Sequence, residues 1–377
     1  MKKVFLPFLL VLPATLVAEP FKPSAEQLAR VPVAYKARCT PESRRAAIEK
    51  LGGDEKTEEA ILAALRHLKN TQNKDGSWTS ESRVWTTAFG LLCFLGHGET
   101  AQSEEFGISV LNAITFLVDN AVKQRGLITS DPKDKDHVYE HAIAVWALAE
   151  AYVLCEGAYG EKITNLKKAA EVCGQLMINK QHVGGGWEYS YDTDNARGGD
   201  TSITGWHMLA LKSCQMTGLK YANLTKSWKK GVDYLERMQA PNGGLGYSSP
   251  GSVTTTRAAI GALGFQLFKG PSHKGARKAI RYFQKESKFD WDTPDADLYG
   301  QLYAALAFRY QGGEAWSRYR KQVFPQILKH QSLDGSFENV GGGKDIEASR
   351  PVFAGDTDAA IHYRTCLATL ILQTYYR

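Results

Sequence analysis

The chain has 377 residues, 43% of them hydrophobic, a net charge of +6 and six cysteines. The basic residues are interleaved with acids, as in Lys133-Asp134-Lys135-Asp136, which argues against a nucleic-acid-binding chain. The cysteines do not follow a zinc-ribbon spacing, so a zinc-ribbon module is excluded as well.

Residues 1–18 read as an export signal: Lys2 and Lys3, an apolar stretch from Val4 to Val17, then the small Ala18. A spanning helix needs about 20 apolar residues, whereas Pro7 and Pro13 interrupt this shorter run. The expected location is periplasmic or extracellular. No later stretch reads as a membrane span. Residues 19–56 form an N-terminal arm with a short helix starting at Thr40-Pro41, placed to cross the main body or to dock on a protein partner.

From residue 57 to 377 one pattern recurs: an amphipathic helix, a Gly-rich loop with an aromatic or apolar residue, then a more apolar helix. The first copy runs Glu59 to Gln72, through Gly76-Ser77-Trp78, to Thr86–Leu95. The second has Val110 to Val118, Gly126-Leu127 and Tyr139 to Val153. The third has Leu166 to Met177, Gly184-Gly-Gly-Trp187 and Ser202 to Cys214. The fourth has Trp228 to Met238, Gly243-Gly-Leu-Gly-Tyr247 and Thr255 to Phe268. The fifth has Ala276 to Gln284, Trp291 and Leu298 to Tyr310. The sixth has Tyr319 to His330, Gln331-Ser-Leu-Asp-Gly-Ser-Phe337 and His362 to Tyr376.

In the first copy Ile61, Leu62, Leu65 and Leu68 form one stripe, while Arg66, Lys69 and Asn70 face elsewhere. The second helix of each pair is apolar nearly all round, as in Ala142-Ile-Ala-Val-Trp-Ala-Leu-Ala149, and must be buried on most sides. Two layers follow, an outer ring and an inner ring around a central space. The last helix is as apolar as the middle ones, so the ring is expected to close on the first repeat. The fold class is all-α, an α/α toroid of six hairpins. Cys93, Cys155, Cys214 and Cys366 fall in apolar helical patterns and read as packing; Cys155 and Cys173 flank one turn and are the pair considered for a disulfide.

Gln72-Asn-Lys-Asp-Gly-Ser-Trp78 and Gln331-Ser-Leu-Asp-Gly-Ser-Phe337 resemble the repeat of squalene-hopene cyclases and of protein prenyltransferase β subunits. Gly199-Asp-Thr-Ser-Ile-Thr-Gly-Trp206, Tyr139-Glu-His141 and Tyr375-Tyr-Arg377 look like a branch of exported bacterial proteins with prenyltransferase and squalene-oxidase repeats. The resemblance implies the six-hairpin toroid. It specifies fold better than function, because function lies in grafted sites.

Every loop leads from an outer helix into an inner one, so all inner-helix starts share one face of the ring, the mouth of the central cavity. The candidate ligand-binding residues there are Trp85, Glu140, His141, Asp200, Trp206, Arg257, Tyr299 and His362. Asp356-Thr-Asp358-Ala359 resembles the Asp-x-Asp-Asp acid of terpene cyclases. That makes Asp358 the candidate catalytic acid, although Ala359 replaces the last aspartate; capping of the last helix is the competing role for Asp358. His362 and Asp297 resemble two zinc ligands of prenyltransferases, but the thiolate position reads Tyr299 or Leu298, too few ligands for tetrahedral zinc.

His137-Val-Tyr-Glu-His141 spells the inverted zinc-peptidase pattern, yet His137 reads as preceding the helix and no third ligand is evident. Asp192, Asp194 and Asp200 read as a turn and a helix cap rather than a calcium loop. No metal is therefore assigned, and no cofactor is indicated. Three functions stay open. The first is binding of an apolar or isoprenoid-like small molecule, a glycan or a peptide at the cavity mouth. The second is an enzyme of cyclase-like or prenyltransferase-like chemistry, and the third a protein-interaction scaffold.

Overall fold

The computed structural model describes residues 22–293, 296–340 and 355–377; the predicted export signal lies outside them. The arm comes first, with α1 (Ala25–Arg30), a 3-10 turn over Val33–Arg38 and α2 (Pro41–Lys50). Both arm helices open on capping boxes. Ser24 and Gln27 bond reciprocally, as do Thr40 and Ser43, and Pro41 sits at the first position of α2, where its missing N–H costs nothing.

Among the described residues six outer helices follow: α3 (Glu55–Thr71), α5 (Gly107–Lys123), α7 (Leu166–Asn179), α9 (Leu224–Met238), α11 (Lys274–Glu286) and α13 (Gly313–Lys329). They alternate with six inner ones: α4 (Arg83–Gly96), α6 (His137–Ala151), α8 (Thr201–Met216), α10 (Thr255–Lys269), α12 (Leu298–Gln311) and α14 (Asp358–Leu372). The outer helices bury one stripe, as α11 does with Ala276, Ala279, Ile280 and Phe283 at helical spacing. In α6 every residue after His137 is buried. Each fully buried Leu or Phe of such a helix contributes roughly 1.5–3 kcal/mol.

Each inner helix packs on the next, and α14 returns to α4, so the ring is closed as expected. At this seam His362 Nε2 donates to Thr86 O (2.8 Å), Gln373 Nε2 to Cys93 O (2.7 Å) and Arg377 Nη1 to Leu92 O (2.9 Å).

A glutamine at the end of four outer helices sets the spacing between hairpins. Gln72 Nε2 donates to Gly76 O of its own loop and to Ser109 O of the next outer helix. Gln181 does the same to Gly185 O and Ser227 O, and Gln239 to Gly243 O and Gly275 O. The last, Gln331, reaches Gly335 O (3.1 Å) and, across the seam, Ala60 O of α3 (2.8 Å). Two loop tryptophans plug their hairpins: Trp78 Nε1 donates to Leu68 O and Trp187 Nε1 to Met177 O, so these two rings are buried with their one polar atom satisfied.

Three local expectations change. His137 is the first residue of α6, not part of its lead-in, because the Asp131–Asp136 segment forms a turn that feeds directly into the helix. His137–Ala158, in which α6 runs on into a π-helical segment, is long and apolar enough to cross a membrane, but it is mostly buried inside the ring, as expected of a core helix. All six cysteines are free and buried. Cys155 lies beside Glu161 and Cys173 beside Cys214, so the turn between the helices does not bring Cys155 and Cys173 together.

The arm crosses the end of the ring opposite the loops. Gln27 Nε2 bonds Tyr159 O, Arg38 Nη1 bonds Leu95 O, and Arg44 Nη1 bonds His97 O. Helix C-termini carry unsatisfied carbonyls and partial negative charge, and these guanidiniums cap them.

Candidate functional site

The six inner helices run in the same direction, so their first turns and the loops before them form one mouth. Its floor is aromatic. Phe89 of α4 meets Trp206 of α8 edge-on at 5.5 Å. Trp206 in turn meets Trp146 of α6 at 6.2 Å and Tyr303 of α12 at 5.2 Å. Phe89, Trp146, Trp206 and Tyr303 are all buried. Rings from opposite sides thus fill the axis at this level, where the sequence led us to expect a central space. Trp206 is part of that plug, not an open wall.

Above the floor lie half-buried rings. Trp85 packs edge-on against Tyr363 at 5.5 Å, and Tyr299 stacks on Trp206 at 5.5 Å. A chain of phenols continues around the rim, with Tyr139, Tyr189 and Tyr247 hydroxyls 3.4 and 3.2 Å apart in turn. Arg197 Nη2 donates to the Tyr247 hydroxyl (2.9 Å), and the Arg197 and Arg257 guanidiniums both lie over the Tyr247 ring. Asp200 is fully buried beneath them and caps α8, its Oδ1 accepting from Ser202 N (2.7 Å) and Ile203 N (3.1 Å). Its Oδ2 lies 3.5 Å from Arg197 Nη2 and near the Tyr247 hydroxyl. Burial raises the Asp200 pKa, against the pull of Tyr247, the cap amides and Arg197.

The structure therefore gathers Trp85, Asp200, Trp206, Arg257 and Tyr299 at the mouth. Tyr139, Tyr189, Arg197 and Tyr247 were not singled out as ligand residues. Three of these lie in or beside the loops of hairpins three and four, whose path the repeat pattern alone does not reveal.

The remaining candidates do other work. Glu140 is buried and accepts from Thr129 Oγ1 (2.7 Å), Ser130 N (2.5 Å) and Ser130 Oγ (2.9 Å), pinning the loop that enters α6. His141 Nδ1 accepts from Ile128 N (3.1 Å) in the same loop. His362 holds the seam. Asp358 is exposed in the first turn of α14, and the capping oxygen belongs to its neighbour Thr357. It borders a groove of about 600 Å3 at the seam, with His67, Asn73, Ser80 and Arg83, apart from the aromatic floor. Asp297 caps α12 through Gly300 N and accepts from Thr256, so both its oxygens are used.

His137 and His141 both place their rings against Tyr191, and Glu140 turns into the loop. Among the described residues no group of three His, Cys, Asp or Glu side chains is arranged to hold a metal.

Three buried histidines make stability depend on pH. Burial holds His141 and His207 at about 3 and His362 at about 4, below the ordinary histidine value of about 6.5. His207 is locked by its bonds to Ile203 O and the Tyr191 hydroxyl, and His362 by Thr86 O. The unfolded chain takes up these protons first. Stability is thus full above the unfolded value and falls as pH drops below it. Each histidine is expected to cost about 1 kcal/mol between pH 6.5 and 5.5. Urea titrations at the two pH values check this. An unchanged midpoint would contradict the neutral, buried assignment.

Comparison with solved structures agrees with this geometry. The type II terpene cyclase MstE from Scytonema, in complex with geranylgeranyl dihydroxybenzoate, superposes with a TM-score of 0.55 at 12% identity over 87% of this chain and 99% of that one. A wild-type glycosidase superposes at 0.56 and 9% identity, over 87% of this chain and 98% of that one. The chain is an α/α toroid. At such identities the likeness concerns the fold alone, and the toroid's own residues must carry any functional argument. No protein-family model and no curated protein sequence matches the chain.

Proposed function

We propose that the toroid binds an apolar or isoprenoid-like small molecule at its aromatic mouth. The observation that carries this reading is the set of half-buried rings, Trp85, Tyr299 and Tyr363, resting on the Trp206 floor. Aromatic faces kept partly open on a rigid base are pre-organised for an apolar body. The Tyr189, Tyr247, Arg197 and Arg257 rim supplies donors for a polar end group. Binding is shallow in this reading, since the plugged axis leaves no room for a long chain to thread through.

Asp200 supports a second reading, an enzyme acting on the same ligand. A carboxyl with its pKa raised by burial, beside the mouth, has the property expected of a proton donor. Asp358 suits that role less well, because an acid strong enough to protonate an alkene must be shielded from water.

The test is a titration of the whole protein with geranylgeraniol, followed by tryptophan fluorescence and by native mass spectrometry. Trp85→Ala with Tyr299→Ala is expected to weaken binding at least tenfold, about 1.4 kcal/mol, and Asp358→Asn to leave it unchanged. Equal affinity in the double variant would refute mouth binding. Turnover lost in Asp200→Asn with binding retained would favour the enzyme.

A further inference from the structure

The modest net charge conceals a strong asymmetry. Between Lys162 and Lys288, 19 Lys or Arg face 8 Asp or Glu, a net +11 against +6 for the whole chain, so the remainder carries −5. This segment is hairpins three and four with the outer helix of the fifth, one continuous arc of the ring. Its outer helices point the charge outward: Lys226 and Lys229 on α9, and Lys274, Arg277, Arg281 and Lys285 on α11, are exposed.

Two grooves run along the outer wall here. One, of about 780 Å3, lies at the start of α9 and is lined by Lys220, Lys226, Lys229 and Lys230, with Asp233 its sole acid. The other, of about 660 Å3, lies along α7 and is lined by Lys180 and Lys220, with Glu171 its sole acid. Lys220 belongs to both, so they form one basic track from hairpin three to hairpin four.

We propose that this track is a docking surface for a linear acidic polysaccharide. The charge complementarity is that of spaced carboxylates or sulfates along a flexible chain, which can follow a convex wall. A flat bilayer touches such a wall only along a strip. Trp228, beside it, is half-buried, stacked on Phe268 at 5.1 Å, with the Lys229 and Lys269 ammoniums over its ring. A nucleic acid is a poorer match. Trp228 has its faces engaged, leaving little platform for a base.

The experiment is calorimetric titration of the full chain with polygalacturonate at low and at physiological salt. Binding is expected at low salt, weakening steeply as salt screens the exposed charges. Replacing Lys220, Lys226 and Lys229 by glutamate should weaken it at least tenfold. The same replacements at Lys50, Lys56 and Lys74, on the other side of the ring, should leave it within twofold. All six side chains are exposed, and circular dichroism verifies that the variants fold. No binding by the wild-type chain, or equal losses in both triple variants, would overturn the proposal. So would tighter binding to single-stranded DNA or to anionic phosphatidylglycerol vesicles than to the polysaccharide.

Discussion

Gly335→Ala is expected to cost 3 kcal/mol or more and to lower the urea midpoint sharply. The position combines two independent demands. Its φ is +88°, in the left-handed region that a side chain adopts only at a cost of roughly 1–2 kcal/mol. A Cβ there would also stand 2.1 Å from Ala63 O and 2.6 Å from Ala63 C, inside any contact distance and against backbone, which cannot swing away. Ala63 belongs to α3 of the first hairpin, so the clash falls on the seam that closes the ring. Relief would push the last hairpin off the first and weaken the Gln331 bond to Ala60 O.

A control separates the two demands. Gly218, just beyond the end of α8, has φ +70° but nothing within 4 Å of its Cβ position, and Gly218→Ala should show the backbone cost alone. If the two variants lose the same stability, the close approach at the seam is not what holds the ring.

That seam illustrates how far the chain could be read without coordinates. The 3.6-residue stripe of the outer helices and the all-round apolarity of the inner ones are local signals. They led to the hairpins, the two layers and, through the apolar last helix, the closed ring. The positioning role of Gln72, Gln181, Gln239 and Gln331 is half legible: the residue recurs at one place, but its partner lies one hairpin further on. What fills the axis is not legible at all. Trp206 on α8 reads the same whether it lines a cavity or meets Phe89 and Tyr303 from other hairpins, because only the ring's radius decides between them.

Asp358 shows a similar limit. Its motif names an acid but not whether that acid is shielded, and in the structure Thr357 takes the cap while Asp358 faces water. Conversely Asp200, legible as a cap, owes its raised pKa to burial beneath Tyr247 and Arg197, whose loops no local pattern places.

Glu150→Ala should destabilise the protein by about 3–5 kcal/mol, the cost of leaving buried charge uncompensated. Glu150 Oε2 lies 2.8 Å from Arg38 Nη1 and 2.9 Å from Arg377 Nη2, and its Oε1 accepts from Trp146 Nε1 at 2.7 Å. All three charged side chains are buried, so water cannot replace the lost partner. The carboxylate joins the arm, α6 and the end of the last hairpin, and its loss leaves two guanidiniums facing each other across the closed end of the ring.

Burial alone would raise the Glu150 pKa, but Arg377, Arg38 and the bonds from Arg38 and Trp146 bring it below its ordinary value. The folded pKa being the lower one, the contribution is complete above the unfolded carboxylate value and disappears as pH falls through the folded one. The Ala variant should therefore differ most from the parent at neutral pH and converge on it in acid. Replacing Arg38, Glu150 and Arg377 together by methionine removes the uncompensated charge, and buried triads so replaced are often neutral or better. Recovery in the triple variant, measured by urea unfolding, would show that the carboxylate neutralises its partners. A triple variant as unstable as Glu150→Ala would instead mean that the triad's directional bonds position the arm across the ring.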